Sequence, residues 1–232
     1  MASDKRDFVV MVTGGGAYGE YDFNTAAMIR DELPQRVDRP GKRCIRILRH
    51  PVDTPCTYDW GIEAMDEIWS GKAIAVGEEA PVEIDLALHM GMRPRYPGYC
   101  FETGARREGY KHPGEDGKYY PRELVDGNGP WAQLPEYLYS GFNIEQIISS
   151  VGDRLPGLDL KISHDAGWYF CEFEFFSSLA NAKLKRNSSN VLYLHVPLHR
   201  SKDAIATGAR VATEFITAAV EQIEAHQQGV RL

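Results

Sequence analysis

At 232 residues, 43% of them apolar and 25% charged, the chain is long enough for one α/β domain with a sizeable core and short for two, so residues 1–232 are expected to form a single domain. No stretch approaches the roughly 20 apolar residues of a bilayer-spanning helix, and a formal charge of -7 offers no attraction to a phosphate backbone, so neither a membrane nor a nucleic acid is an expected partner. Cys44, Cys56, Cys100 and Cys171 show no CxxC pair and no finger-like spacing, which argues against a metal site and for a reducing compartment. The apolar segment at residues 8–12 is too short for a signal-peptide core, and the expected location is cytoplasmic.

Residues 8–13 form a continuous apolar run ended by Gly14-Gly15-Gly16, the pattern of a buried parallel strand leaving through a glycine turn. Asn24 suits the N-cap of a helix running to Leu33, where Pro34 limits it. Residues 44–48 read as a strand, and 60–69 as a helix with its apolar positions on one side. Residues 82–90 read as a strand ending at Gly91, and 98–102 as a shorter one. Residues 105–135, dense in Gly, Pro, Tyr and charge, read as a long excursion over the surface. The pattern then gives a helix at 144–151, a strand at 158–163, an aromatic-rich helix at 167–184 and a last strand at 191–196. Val211, Phe215, Ile216, Ala219, Val220 and Ile223 share one face of a closing helix over 203–226. Strands alternating with helices along the chain indicate a three-layer α/β/α sandwich with a mainly parallel central sheet.

In such a sheet, ligands collect beyond the carboxyl ends of the strands. The groups expected there are the loop 14–19, the Gly91-Met92-Arg93 turn, the segment Ser163-His164-Asp165 leading to Cys171, and His195-Val196-Pro197. Cys171 is expected about one turn into a helix that Ser163 or Asp165 could cap, where the helix dipole favours a thiolate. His195 interrupts an apolar strand near its end, but His89 and His164 also lie near strand ends, and spacing alone leaves all three open as a base. Glu102, Glu108, Glu172 and Asp165 are likewise all candidates to orient an imidazole.

Three separated segments resemble those of the pyroglutamyl-peptidase I family of cysteine exopeptidases. Ser163-His164-Asp165-Ala166-Gly167-Trp168-Tyr169-Phe170-Cys171 is similar to the family's nucleophile segment, Leu194-His195-Val196-Pro197 to its His-Val-Pro signature, and Glu102 with Gly109-Tyr110-Lys111 to the segment bearing its catalytic glutamate. Thr13-Gly14, Gly19 and Asn24 resemble its first loop. The resemblance implies an α/β/α sandwich, a Glu102, Cys171 and His195 triad, and removal of an amino-terminal pyroglutamyl residue from a blocked peptide or small amide. It implies neither metal nor cofactor, and it suggests a homo-oligomer.

The departures fall on substrate recognition. Gly15 and Ala17 stand where the family has Phe and Pro, Tyr18 replaces a second Phe, and Met92 stands where many members carry a pocket glutamine. Gly15, Gly16, Tyr18 and Met92 are therefore the expected substrate-binding positions, with the acyl pocket wider and more polar and recognition resting on backbone groups of the 14–19 loop. Gly14 to Gly19 also satisfies GxGxxG, but Glu20 and Asp22 follow where a pyrophosphate would lie, and no ribose-binding acid ends the second strand, so dinucleotide binding is disfavoured. A non-catalytic binding protein, or a relative acting on another amide or lactam, is the remaining alternative.

Overall fold

The computed structural model describes residues 6–229. Phe8–Gly14 (β1) is buried at every position because both of its faces are covered, and the same holds for Leu86–Met92 (β4) and Val191–Val196 (β9). Arg36–Val37 (β2), Ile45–Arg49 (β3), Tyr99–Glu102 (β5) and Leu160–Ser163 (β8) complete a seven-stranded sheet of order β2-β3-β1-β4-β9-β5-β8. Its pairs are parallel except β2 with β3 and β5 with β9. A separate antiparallel ribbon joins Gly104–Arg106 (β6) to Tyr137–Tyr139 (β7).

Five helices cover the sheet. Thr25–Glu32 (α1), Ile144–Arg154 (α3) and Lys202–Gln227 (α5) line one face, and Tyr58–Trp69 (α2) with Phe170–Arg186 (α4) the other, which makes the expected three-layer sandwich. Asn24 caps α1 as expected, its side chain accepting a hydrogen bond from Ala26 N at 3.0 Å.

Several sequence-based expectations shift, and those nearest the site matter most. The strand expected at 82–90 begins at Leu86 and continues through Met92, so Gly91 lies inside β4 and not in a turn after it. The helix expected from Gly167 starts at Phe170, which makes Cys171 its second residue. Tyr169 occupies the N-cap without a side-chain bond, so neither Ser163 nor Asp165 caps α4. The 105–135 excursion is largely irregular, as expected, but it does not merely run over the surface, because Tyr110, Tyr120, Leu124 and Trp131 are buried in the α2/α4 core. The ring of Phe173 meets those of Tyr110, Tyr120 and Trp131 at centroid distances of 5.7, 5.9 and 6.0 Å. Helix α4 thus has the sheet on one side and the excursion on the other, which explains why its residues from Glu172 to Ala182 are buried on every face.

Candidate active site

Period-two alternation puts the chemistry on one side of the sheet. Across the strands, Thr13 lies beside His89, His89 beside Tyr193, Gly91 beside His195 and Glu102 beside Tyr193. All of them belong to the α2/α4 side, because their chain neighbours Val12, Met90, Leu194 and Phe101 fill the opposite core.

Glu102 and His195 are diagonal neighbours on antiparallel strands, since His195 faces Cys100, two residues before Glu102. That offset brings His195 Nδ1 to 2.8 Å from Glu102 Oε1. A fully buried carboxylate requires such a donor. Arg93 Nη1 adds a longer contact to the same oxygen at 3.4 Å. With Nδ1 engaged, the other ring nitrogen of His195 is left for Cys171, whose sulfur borders the same gap beside Gly91.

Gly91 makes this meeting possible. A Cβ there would stand 2.7 Å from Tyr193 Oη, 3.0 Å from Cys171 Sγ and 3.3 Å from His195 Cδ2, so three side chains converge on a space that only glycine leaves open. Burial alone would hold His195 neutral, but the neighbouring Cys171 and Glu102 outweigh that penalty and push its pKa up to about 9. An imidazolium beside a cysteine sulfur, in the first turn of a helix, is the arrangement that stabilises an attacking thiolate.

The other candidates are engaged elsewhere. His89 is fully buried, with Nδ1 2.8 Å from Thr13 Oγ1 and Nε2 2.7 Å from Ser178 Oγ, and burial pushes its pKa down to about 3. His164 is exposed and bonds Thr103 Oγ1 at 2.9 Å. Arg106 Nη1 holds Glu172 Oε1 at 2.7 Å and Asp165 Oδ1 at 3.0 Å, while Glu108 pairs with Arg107 at 3.0 Å. Of the four carboxylates, Glu102 is the one bonded to His195.

The recognition loop differs from its expectation. Gly15 N–H donates to Met90 O and Gly16 N–H to Thr54 O, both at 2.9 Å, so neither amide is left for a substrate. The Met92 side chain lies on the α1 side of the sheet, 3.5 Å from Thr25 Oγ1, and only its carbonyl meets Tyr18, whose hydroxyl is 3.5 Å away. Burial and the neighbouring Cys171 both raise the Tyr18 pKa, which keeps the phenol protonated beside the nucleophile. Gly14 packs against α1, where a Cβ would come within 2.8 Å of Ala26 O, and Asn24 Nδ2 bonds Gly16 O at 2.8 Å. With its first turn closed by Asn24, α1 offers no pyrophosphate cradle, and the GxGxxG match has no nucleotide-binding geometry.

One polar group went unnoticed in the sequence. Glu174 is 1% exposed, and its Oε1 accepts from Thr13 Oγ1 at 2.8 Å and Thr54 Oγ1 at 3.3 Å. Its signal was there, since it lies three residues after Cys171, one helical turn further along the same face.

No family model matches the chain. A pyrrolidone-carboxylate peptidase of Pyrococcus furiosus is 28% identical over 130 residues, and the aligned stretch spans 55% of this chain and 59% of that relative. Among solved structures, a pyrrolidone carboxyl peptidase variant from P. furiosus superposes with a TM-score of 0.71 at 19% identity, covering 93% of this chain and 100% of that one. The pyrrolidone carboxyl peptidase of Thermococcus litoralis gives 0.71 at 15% identity over 93% and 96%. That of Fervidobacterium islandicum gives 0.69 at 18% identity over 91% and 99%. The chain is thus similar in sequence to a pyrrolidone-carboxylate peptidase over about half its length, and over nearly all of it has the fold of the pyrrolidone carboxyl peptidases.

Proposed function

We propose that the chain is a cysteine exopeptidase hydrolysing the amide bond that follows an amino-terminal pyroglutamyl residue. The observation that carries this reading is the meeting of Cys171 Sγ with the His195 ring at the glycine gap of Gly91, with Glu102 2.8 Å behind that ring. The resemblance of the pyrrolidone carboxyl peptidases in fold supports the choice of substrate.

In the proposed reaction the Cys171 thiolate adds to the scissile carbonyl carbon. The His195 imidazolium gives its proton to the departing amine as the C–N bond breaks, leaving a thioester. Water then loses a proton to His195 while its oxygen bonds the thioester carbon, and breakage of the C–S bond releases the acid and regenerates the thiolate–imidazolium pair. Glu102 holds the ring through Nδ1 and balances its charge whenever it is an imidazolium. The test is amine release from a pyroglutamyl anilide by wild type and by Cys171→Ala. Turnover by wild type alone supports the reading, and equal turnover by Cys171→Ala overturns it.

Preference for a larger acyl group or another amide is a second reading, favoured by the engagement of both the Gly15 and Gly16 amides within the fold. Under this reading a five-membered lactam must draw its polar contacts from other groups, of which the Tyr18 hydroxyl is the candidate beside Cys171. Tyr18→Phe should raise KM for the pyroglutamyl anilide several-fold, the cost of one hydrogen bond at about 0.5–1.5 kcal/mol.

A further inference from the structure

The α4 turn that carries Cys171 also carries Glu174, a carboxyl group with no role in the reaction above. Its Oε2 is 3.4 Å from the hydroxyl of Tyr193, and that hydroxyl and the Cys171 sulfur border the same gap, 2.7 and 3.0 Å from where a Cβ at Gly91 would stand. Tyr193 is 1% exposed and its ring is packed between Phe175, at a centroid distance of 5.4 Å, and His195, at 5.1 Å, so the hydroxyl is held in place. One phenolic proton therefore has a carboxyl oxygen as its present acceptor and a sulfur beside it as a second candidate.

We propose that Glu174 and Tyr193 form a second arm on the nucleophile, in which Tyr193 donates to the Cys171 thiolate and the protonation of Glu174 decides how fully it does so. The inference rests on Cys171 being the nucleophile, and not on the identity of its substrate. Protonated Glu174 offers the phenolic proton only a neutral carbonyl oxygen, a weaker acceptor than a thiolate, so the proton goes more fully to sulfur. Ionised Glu174 competes for that proton and sets a second negative charge near the thiolate. Both residues act through Cys171, so they are positioning residues.

The surroundings of Glu174 allow both states. Thr13 from β1, Thr54 from the loop before α2 and Tyr193 from β9 supply hydroxyls; His89 from β4 lies 3.5 Å from Oε1; His195, Cys56 and Cys171 are the other titratable groups near it, and His50 adds to the field at His89. His89 stays neutral, which leaves His195 as the cation acting on Glu174. Trp69 Nε1, which can only donate, bonds Ser178 Oγ at 2.9 Å and ends a chain running through His89 and Thr13 to Glu174. That chain has two consistent proton orders. If Ser178 donates to His89 Nε2, His89 Nδ1–H donates to Thr13 and Thr13 to a carboxylate; if His89 Nε2–H donates to Ser178, Thr13 donates to Nδ1 and accepts from a protonated Glu174. Burial pushes the Glu174 pKa up to about 7, against the lowering effect of its three hydroxyl bonds, so the two orders exchange near neutrality.

The test is the second-order rate of Cys171 alkylation by iodoacetamide between pH 5 and 10, read by mass spectrometry on the intact folded chain, with a thermal melt at each pH. It needs no substrate, so loss of peptidase activity as an explanation and loss of this arm are separable. Wild type should show a few-fold increase in the rate per thiolate as pH rises through neutrality, because a thiolate that loses a hydrogen bond is more basic and more nucleophilic, and Glu174→Gln, the neutral isostere, should lose that step while alkylating at the low-pH rate. Tyr193→Phe, which keeps the ring in the core, should move the acid limb of the profile up by about one pH unit, a tenfold loss of thiolate stabilisation matching one hydrogen bond to a charged group. A Glu174→Gln profile that superimposes on wild type overturns the proposal, as does a lowered melt with an unmoved profile. Should Glu174→Gln fail to fold, Tyr193→Phe decides alone, and an unshifted acid limb overturns it.

Discussion

His89 and His195 sit on neighbouring strands, β4 and β9, on the same side of the sheet, and are 0% and 4% exposed. They nevertheless have opposite charge preferences, one pushed down to about 3 and the other up to about 9. Burial penalises the cation in both. The difference lies in what each ring touches: hydroxyls of Thr13 and Ser178 satisfy His89 without any charge in direct hydrogen bond, whereas His195 is bonded to a carboxylate and has the Cys171 sulfur beside it. A buried histidine is thus a structural hydrogen-bond element or an acid–base group according to its partners, and depth alone does not distinguish them.

The largest break in this comparison is expected from Cys171 and His195, the proposed nucleophile and base. Cys171→Ala and His195→Ala should each lower kcat/KM on a pyroglutamyl anilide by a factor of roughly 10³ or more, with melting close to that of wild type. His89→Ala should act in the reverse sense, destabilising the fold by about 1–3 kcal/mol through orphaned hydroxyls and costing less than about tenfold in kcat/KM. A tolerated His195→Ala with an inactive, well-folded His89→Ala would reverse the assignment.

Glu102→Gln should come next, with kcat/KM lower by about 10- to 100-fold, because orientation is retained in part while the charge behind the imidazolium is lost. It also tests the pH sign. The raised His195 pKa contributes stability that is complete below its unfolded value of about 6.5 and is lost as pH rises through about 9, and activity should fall over that same alkaline limb. In Glu102→Gln the limb should move to lower pH, whereas an unmoved limb would detach Glu102 from the titration.

Gly91→Ala sharpens the geometry with a smaller change. Its methyl would overlap Tyr193 Oη and Cys171 Sγ, and moving the sulfur should cost about tenfold or more in kcat/KM with a modest fall in melting temperature. Full activity in Gly91→Ala would show that the three side chains do not depend on the gap. The smallest effect is expected at Tyr18→Phe, a several-fold change confined to KM.

Much of this was legible in the residues. The apolar runs at β1 and β9, the Asn24 cap, and the alternation of strands with helices follow from local periodicity and turn chemistry, and they lead to the layered sandwich without tertiary knowledge. The segments around Cys171, Glu102 and His195 carried a family resemblance, and the structure brings those three side chains together. Residue spacing alone could not choose His195 over His89 or Glu102 over Glu172. Those choices depend on strand order and register, which place Cys100 opposite His195 and so put Glu102 on its diagonal. The excursion at 105–135 misled because its buried aromatics are scattered without a helical or strand period, and only packing against α4 shows what they cover. Glu174 was hidden for the same reason: a glutamate in an aromatic helix takes its meaning from the hydroxyls of β1 and β9 that meet it, and these lie 161 and 19 residues away along the chain. Short-range order in the chain determined the elements and the reactive residue types. The tertiary structure decided which of those residues share a proton, because a hydrogen bond acts over about 3 Å of space and takes no account of sequence distance.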